Sequence, residues 1–403
     1  MHSFETPQRA PLFFMHIPKT AGMSMRAYLG DQYSPSTICP ANTWPAVRWL
    51  ECPIGSYRLV QGHFQYNLRD TLDPTTKVVT IVREPLARTL SALHHLQRDP
   101  NFHADHAIAK DRSIREILRM PRLMLRQRNV QAASFCASVP VEVVLANLRQ
   151  DRPEFDVAEL EHEPNLELAL TRVGEVEFLG SAENLWLLLR QLSGELALHP
   201  SAGLPAINAA PGPVVTPASL DGEDLELLRF YNDIDIPLYA RCLDIIEQRE
   251  IQSLMLSMVE RGIYKRMDGS FDIDLSGPMP GSGWYAPERE EDRVWRWTGP
   301  TPSFTLEVPL HADGRYKVSL QFGGRAIGRN GLVVRANGHD LVVALTESNL
   351  LYDAVMVVGP DILAANNGCC RLVFDTGTTA QPSGNELRLL GAAVRRVRFE
   401  RMN

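Results

Sequence analysis

The sequence predicts an α/β domain built on a central, mostly parallel sheet, followed by an all-β sandwich domain. Three observations predict it. Over residues 10–250 short apolar runs alternate with segments of helical spacing, the pattern of a sheet covered by helices. After Tyr264 the composition shifts to a Gly-, Pro- and Ser-rich stretch, Asp268–Gly283. Beyond it, short apolar runs are separated by frequent turns, which suits a sandwich. The expected division is a first domain over 1–267, a linker over 268–283 and a second domain over 284–403.

In chain order, Pro11–Ile17 (PLFFMHI) reads as a buried strand, Pro18–Gly22 as a loop, and the residues to Leu29 as a helix. Tyr57–Val60 and Lys77–Val82 (KVVTIV) are further strands. Leu86–Gln97 is helical, with Leu86, Leu90, Leu93 and Leu96 on one face. Val176–Leu179 is a short strand and Asn184–Leu198 an apolar helix, and Asp221–Phe230 and Ile236–Arg261 are closing helices. In the second domain the expected strands are Ser303–Val308, Tyr316–Phe322, Gly331–Ala336, Asp340–Leu345, Ala354–Val358, Arg371–Phe374 and Glu386–Phe399. Asn337-Gly338 between two apolar runs is a hairpin signal.

Composition narrows the function classes. With 44% hydrophobic and 22% charged residues, the 403-residue chain is neither disordered nor coiled coil. Its net charge of −7 argues against a nucleic-acid partner. The first 274 residues carry −8 and the remainder +1. The longest apolar runs fall well short of the roughly 20 residues that span a bilayer. The N-terminal residues hold no apolar signal core, and the six cysteines form no CxxC pair, so a cytoplasmic protein without disulfides is expected. Five lysines stand against 36 arginines, so each lysine invites inspection.

Lys19 lies in Phe13–Ser24 (FFMHIPKTAGMS), where a buried strand runs through a Pro-Gly turn into a helix. The first turn of a helix offers unpaired N–H groups at the positive end of its dipole, which favours phosphate or sulfate. Lys19 adds a cation, and Thr20 and Ser24 add hydroxyls. The order of Lys and Gly is not that of a Walker A loop. A second anchor is Lys77–Leu93 (KVVTIVREPLARTLSAL). Arg83 stands at a strand's C-terminal edge, Pro85 opens a helix, and Ser91 follows two turns later, so Arg83 and Ser91 can share one phosphate.

HIPKTAGxS closely resembles the 5′-phosphosulfate loop of sulfotransferases that use 3′-phosphoadenosine-5′-phosphosulfate (PAPS), most of all the carbohydrate branch with the heparan sulfate 2-O-sulfotransferases. Arg83-x-Pro85 with Ser91 eight residues after the arginine resembles that family's 3′-phosphate motif. Asn129-x-Gln131 is similar to its Asn-x-Gln helix near the acceptor, and Phe178–Glu183, Asn208 and Asp235–Tyr239 are similar to its closing segments. The resemblance covers residues 10–250. Met23 departs from the usual Thr, and Ala133 from an arginine. It implies a P-loop-like sulfotransferase fold, PAPS as donor with 3′,5′-ADP as product, no metal, and a glycan or glycosylated small molecule as acceptor. It implies a cofactor loop of Lys19, Thr20, Ala21, Gly22, Met23 and Ser24 with Arg83 and Ser91, and acceptor contacts from Asn129 and Gln131.

Sulfuryl transfer to a hydroxyl needs a base, cations for developing charge, and positioned reactants. Lys19 faces the leaving oxygen, and His63, after a strand and a glycine in Tyr57–Phe64 (YRLVQGHF), is the favoured base, with Glu84 as its rival. The Gly-His pair resembles the position of the catalytic histidine in the 2-O-sulfotransferases. His16 reads as a bracing residue, and His94, His95, His103 and His106 as solvated. Arg115, Arg119, Arg122 and Arg126 have helical spacing broken by Pro121, and read either as a solvated face or as a strip for an anionic ligand. Trp284, Tyr285, Trp295 and Trp297 either fill the second domain's core or stack on sugars. The second domain resembles, loosely, sandwiches appended to bacterial glycan-modifying transferases. Two other functions are open: a P-loop-type kinase and a non-catalytic glycan-binding protein.

Overall fold

The computed structural model describes residues 9–100, 105–137, 144, 164–199, 204, 215–324, 331–348, 351–381 and 388–402. The chain divides into two compact units, Met1–Ile246 and Glu247–Asn403.

In the first unit, β1 (Leu12–Met15) is buried along its whole length, and its four residues are apolar on both faces. A strand covered on both sides needs such a run rather than an alternation. It pairs in parallel with β2 (Leu59–Gly62) on one edge and β3 (Lys77–Val82) on the other, and β4 (Phe178–Ser181) extends the sheet beyond β3. The order is β2-β1-β3-β4, a mixed α/β unit with a four-stranded parallel sheet. Phe13, Met15, Val60 and Val82 fill the core on one face. Leu12, Phe14, Leu59 and Ile81 fill the core on the other.

Helices cover both faces. α1 (Gly22–Gly30) and α4 (Leu185–Leu196) deliver Met25, Leu29, Leu188 and Leu192 to one face. α3 (Val130–Cys136) and the start of α5 (Asp235–Glu260) deliver Phe135, Leu238 and Cys242 to the other. α2 (Pro85–Arg98) buries the four predicted leucines in a separate core with Ile117, Leu118 and Leu228. Because β2 and β3 flank β1 on opposite sides, the crevice at the C-terminal strand ends opens beside β1, where ligands of such sheets collect. The segments after β1, β2 and β3 meet there.

In the second unit, a four-stranded antiparallel sheet, β11-β10-β14-β8, and a seven-stranded sheet, β12-β13-β9-β15-β7-β6 with β5 beside β15, contribute to one core. The strands are β5 (Ser270–Asp272), β6 (Trp284–Glu290), β7 (Arg293–Thr298), β8 (Ser303–Pro309), β9 (Arg315–Gly323), β10 (Val333–Ala336), β11 (His339–Asp340), β12 (Ala344–Ser348), β13 (Leu351–Val358), β14 (Cys369–Asp375) and β15 (Ala393–Met402). Phe304 and Phe374 from one sheet and Phe322 and Phe399 from the other lie in that core. Asn337 and Gly338 both have positive φ (48° and 84°) and close the β10–β11 hairpin, as a type I′ turn requires.

The second unit differs from expectation in three places. Within 268–283, β5 pairs with β15, and Phe271 stacks on Phe399 at 4.9 Å, because Phe271 and Ile273 supply an apolar alternation that a linker lacks. β6 and β7 form a hairpin through the segment read only for its tryptophans. The expected strand Asp340–Leu345 is two strands: His339–Asp340 pairs with β10 in one sheet and Ala344–Ser348 with β13 in the other. Residue 386, the expected start of the last strand, lies outside the described residues. Among the described residues no helix is long and apolar enough to cross a membrane.

Candidate active site

The loop after β1 is built by steric demand. Lys19 and Ala21 both adopt left-handed backbone, with φ of 71° and 64°, and α1 starts at Gly22 with no side-chain cap on its first turn. A Cβ on Gly22 would lie 1.8 Å from Cδ2 of His16, so only glycine lets the helix start against that ring. Thr20 differs from expectation. It is fully buried, and its hydroxyl donates to the Ile17 carbonyl at 2.8 Å, so it ties the loop from behind and offers no hydroxyl to a ligand. Ser24 is also buried.

A cleft of about 520 Å³ opens in front of this loop, lined by Lys19, Ala21, Gly22, Met23, Arg83 and Ser91 among others. The two sequence motifs, more than sixty residues apart, therefore meet. Arg83 Nη1 donates to the Lys19 carbonyl at 3.1 Å, which couples the arginine to the loop. Burial, helped by the positive charges of Arg98, Arg83 and Arg88, brings the Lys19 ammonium down to about 8. Such crowded cations favour an anionic neighbour.

Asn129 and Gln131 are not acceptor contacts. Asn129 is fully buried: its Nδ2 donates to Asp233 at 2.7 Å, and its Oδ1 accepts the N–H groups of Ile234 and Asp235. Gln131 holds the backbone of Arg83 at both groups, accepting from its N–H and donating to its carbonyl, each at 2.9 Å. It positions Arg83. Asp235 in turn accepts from the backbone N–H groups of Gln131 and Ala132 at the start of α3. Fully buried Arg88, which the sequence reading passed over, lies close enough to Asp235 to lower its carboxyl against the upward push of burial. Burial brings the Arg88 guanidinium itself down to about 10. Arg88 follows Pro85 by three residues, and nothing in the local pattern separates it from a surface arginine.

His63 follows Gly62, where a Cβ would lie 2.2 Å from the Asn42 carbonyl, so only glycine admits the close approach of that neighbouring segment. The His63 backbone N–H donates to the same carbonyl at 2.8 Å. Its ring stacks on His16 at 4.2 Å, and its Nδ1–H donates to the His16 carbonyl at 2.9 Å. That bond selects the tautomer with an unprotonated Nε2, the form a base needs. Burial pushes the His63 pKa below its ordinary 6.5. His16, sandwiched between Phe14 and His63 and more deeply buried, is brought down to about 2 and stays neutral. Glu84, the rival base, caps α2: its carboxylate accepts from Leu86 and Ala87 N–H at 3.1 and 2.6 Å.

His63 also lines a second compartment of about 390 Å³, reached past His16 and Pro18, which both compartments share. Trp44, Phe64, Leu125 and Val130 give it an apolar wall, with Gln65, Ser134, Arg126 and Arg128 as polar groups. Two residues read otherwise in the sequence line the first cleft: His95, expected in solvent, and Glu183, whose carboxylate accepts from Glu84 N–H and Tyr239 O–H at 3.0 Å each. His94 accepts from Val215 N–H, and His106 bonds the Leu96 carbonyl. His103 and Asn208 lie outside the described residues. Among the described residues no group of His, Cys, Asp and Glu could hold a metal ion.

The arginine strip is spent internally. Arg115 and Arg119 pair with Asp224, and Arg122 and Arg126 with Asp105, at carboxylates that are almost fully buried. In the second unit Trp284 packs on the core, its Nε1–H donating to the Thr305 carbonyl at 2.8 Å. No protein-family model matches the chain, and no curated protein is a detectable relative.

Proposed function

We propose that the first unit is a PAPS-dependent sulfotransferase acting on a hydroxyl of a carbohydrate or glycosylated small molecule. One observation carries the reading: a cationic cleft and an apolar compartment share His63, a neutral histidine whose free nitrogen is set by a bond to the chain itself. The fit of the donor rests on the uncapped start of α1, on Lys19, and on Arg83 and Ser91 across the same cleft. When bound, PAPS supplies the sulfuryl group and leaves as 3′,5′-ADP.

In this reading the first-turn N–H groups and Lys19 hold the phosphosulfate end, and Lys19 offsets charge on the departing oxygen. Arg83 and Ser91 hold the 3′-phosphate, and Gln131 keeps Arg83 aimed. His63 Nε2 takes the acceptor's hydroxyl proton, and the His16 carbonyl supports the imidazolium that forms. The apolar wall of the second compartment suits the C–H face of a sugar ring, and its Gln and Ser suit the hydroxyls. A cytosolic enzyme is implied, since its donor is available there.

The test is a thermal-shift titration with 3′,5′-ADP against ATP, followed by a search for sulfated product. At about 100 times its dissociation constant, a ligand of the native state adds roughly 2.7 kcal/mol, a shift easily measured. Stabilisation by 3′,5′-ADP that is lost in Lys19→Ala supports the reading. Stabilisation by ATP alone points instead to a kinase, and no response to either nucleotide overturns the nucleotide site.

A further inference from the structure

The outer face of the seven-stranded sheet carries a trench of about 820 Å³. Register builds it. Trp297 on β7 pairs with Ala393 on β15, Ala393 with Gly323 on β9, and Gly323 with Leu351 on β13. Directly paired residues share a face, so this row has a tryptophan at one end, a leucine at the other and two of the smallest residues between them. Trp295, two residues from Trp297, lengthens the aromatic wall, while Val294 packs on the core and Arg296 is buried. The Trp297 ring lies beside Gly324, where a Cβ would stand 3.4 Å from it. A bulge between Val394 and Arg396 turns Arg395 out to the trench.

We propose that this trench binds a neutral oligosaccharide, independently of any reaction in the first unit. Along the row from Trp297 to Leu351 the backbone groups are committed to the strand ladders, so recognition there falls to side chains. Those side chains combine flat rings with planar bidentate groups. Gln321 is fixed by a bond to Asp353 at 3.1 Å and Glu288 by Arg388 at 2.8 Å, and Arg395 and Arg293 stand at the rim. Sugar rings match this: their C–H faces stack on indole, and their paired hydroxyls meet two-pronged acceptors and donors. Charge does not favour a polyanion: with Glu288 paired to Arg388, Glu290 and Asp292 balance Arg293 and Arg395 along the lining, so sulfated glycans and nucleic acids meet no net positive surface.

The full chain is titrated by calorimetry with cellohexaose, maltohexaose, xylohexaose and chitohexaose, with heparin and a single-stranded oligonucleotide as competitors. At least one neutral hexasaccharide is expected to saturate with a dissociation constant of about 1 mM or below. Trp297→Ala should weaken it roughly tenfold or more, as loss of a central aromatic contact does. Arg395→Ala, an exposed change that leaves the sheet intact, should weaken it several-fold, so the site stays testable if Trp297→Ala fails to fold. Neither change should alter the thermal response to 3′,5′-ADP. Absence of saturation by all four sugars at ~10 mM overturns the proposal. So does wild-type affinity in both variants, or displacement of the sugar by heparin or the oligonucleotide.

Discussion

In the first unit Arg83 donates to a backbone carbonyl of the loop it faces, at 3.1 Å, whereas in the second unit Arg396, Arg398 and Arg401 reach Asp272 and Asp268 at 2.9, 3.1 and 2.9 Å. The same contrast holds inside the first unit, where Arg115, Arg119, Arg122 and Arg126 meet carboxylates. A guanidinium closed on a carboxylate has its charge balanced and holds elements together. Arg83, closed only on a neutral carbonyl and lining the cleft, keeps its charge for a ligand. The chain is rich in arginine throughout, so abundance says little. What distinguishes the cleft is that its cations are buried beside one another: burial, helped by the neighbouring arginine charges, brings Lys19 down to about 8.

The largest effect expected from this contrast is catalytic. His63→Ala should lose about 10²–10⁴-fold in turnover, the range for removal of a general base, while 3′,5′-ADP still stabilises the protein. If nucleotide affinity collapsed while turnover of the bound complex held, the histidine would belong to the donor site instead. Next comes Gln131→Leu, which strands the Arg83 N–H and carbonyl. It should cost about 1–3 kcal/mol of stability and weaken 3′,5′-ADP, read by denaturant unfolding and by titration. Unaltered nucleotide affinity would show that Arg83 needs no such support.

Acidity gives a smaller, graded test. The Lys19 ammonium is fully present below about 8 and is lost as pH rises through that value. Affinity for 3′,5′-ADP should therefore fall from about 8 upward, earlier than an ordinary lysine would allow. Because burial lowers His63, it stays neutral at and above 6.5, and the acid limb of kcat/KM should lie below that value. A rate profile whose acid limb lay above 6.5 would contradict the role given to His63. The smallest effect is expected at Arg119→Ala: its charge is closed on Asp224 and Glu223, so affinity for 3′,5′-ADP should not change. A clear loss there would break the distinction between paired and available arginines.

Much of the fold was legible because it rests on periodicity. The run KVVTIV forms a strand with the bounds read from it, and the four leucines of α2 share one core, since a two-residue or near-four-residue rhythm reports burial directly. β6 and β7 were not legible. Arg296 occupies an inward position of β7, and no pattern rule anticipates an arginine whose guanidinium is satisfied by the Leu275, Gly277 and Tyr285 carbonyls. Lys19, Gly22, Met23, Arg83, Ser91 and His63 line one cleft. Thr20, Asn129 and Gln131 face inward, because short polar side chains beside a helix start also satisfy backbone groups, and a motif does not say which use prevails.

The sequence by itself determined the local pieces: a strand–turn–helix around Lys19, an arginine and proline ahead of α2, a histidine after a glycine, and a β-rich C-terminal half. Each follows from rules that act within a few residues. Only the tertiary structure decided that β1 lies between β2 and β3, so that three distant loops face one crevice. It also decided that the His16 carbonyl selects the tautomer of His63, that acidic partners close Arg115, Arg119, Arg122 and Arg126 while Arg83 meets a carbonyl, and that a row of Trp, Ala, Gly and Leu from four strands forms a trench. These depend on strand order and register, which come from the packing of the whole sheet and leave no trace in any single segment.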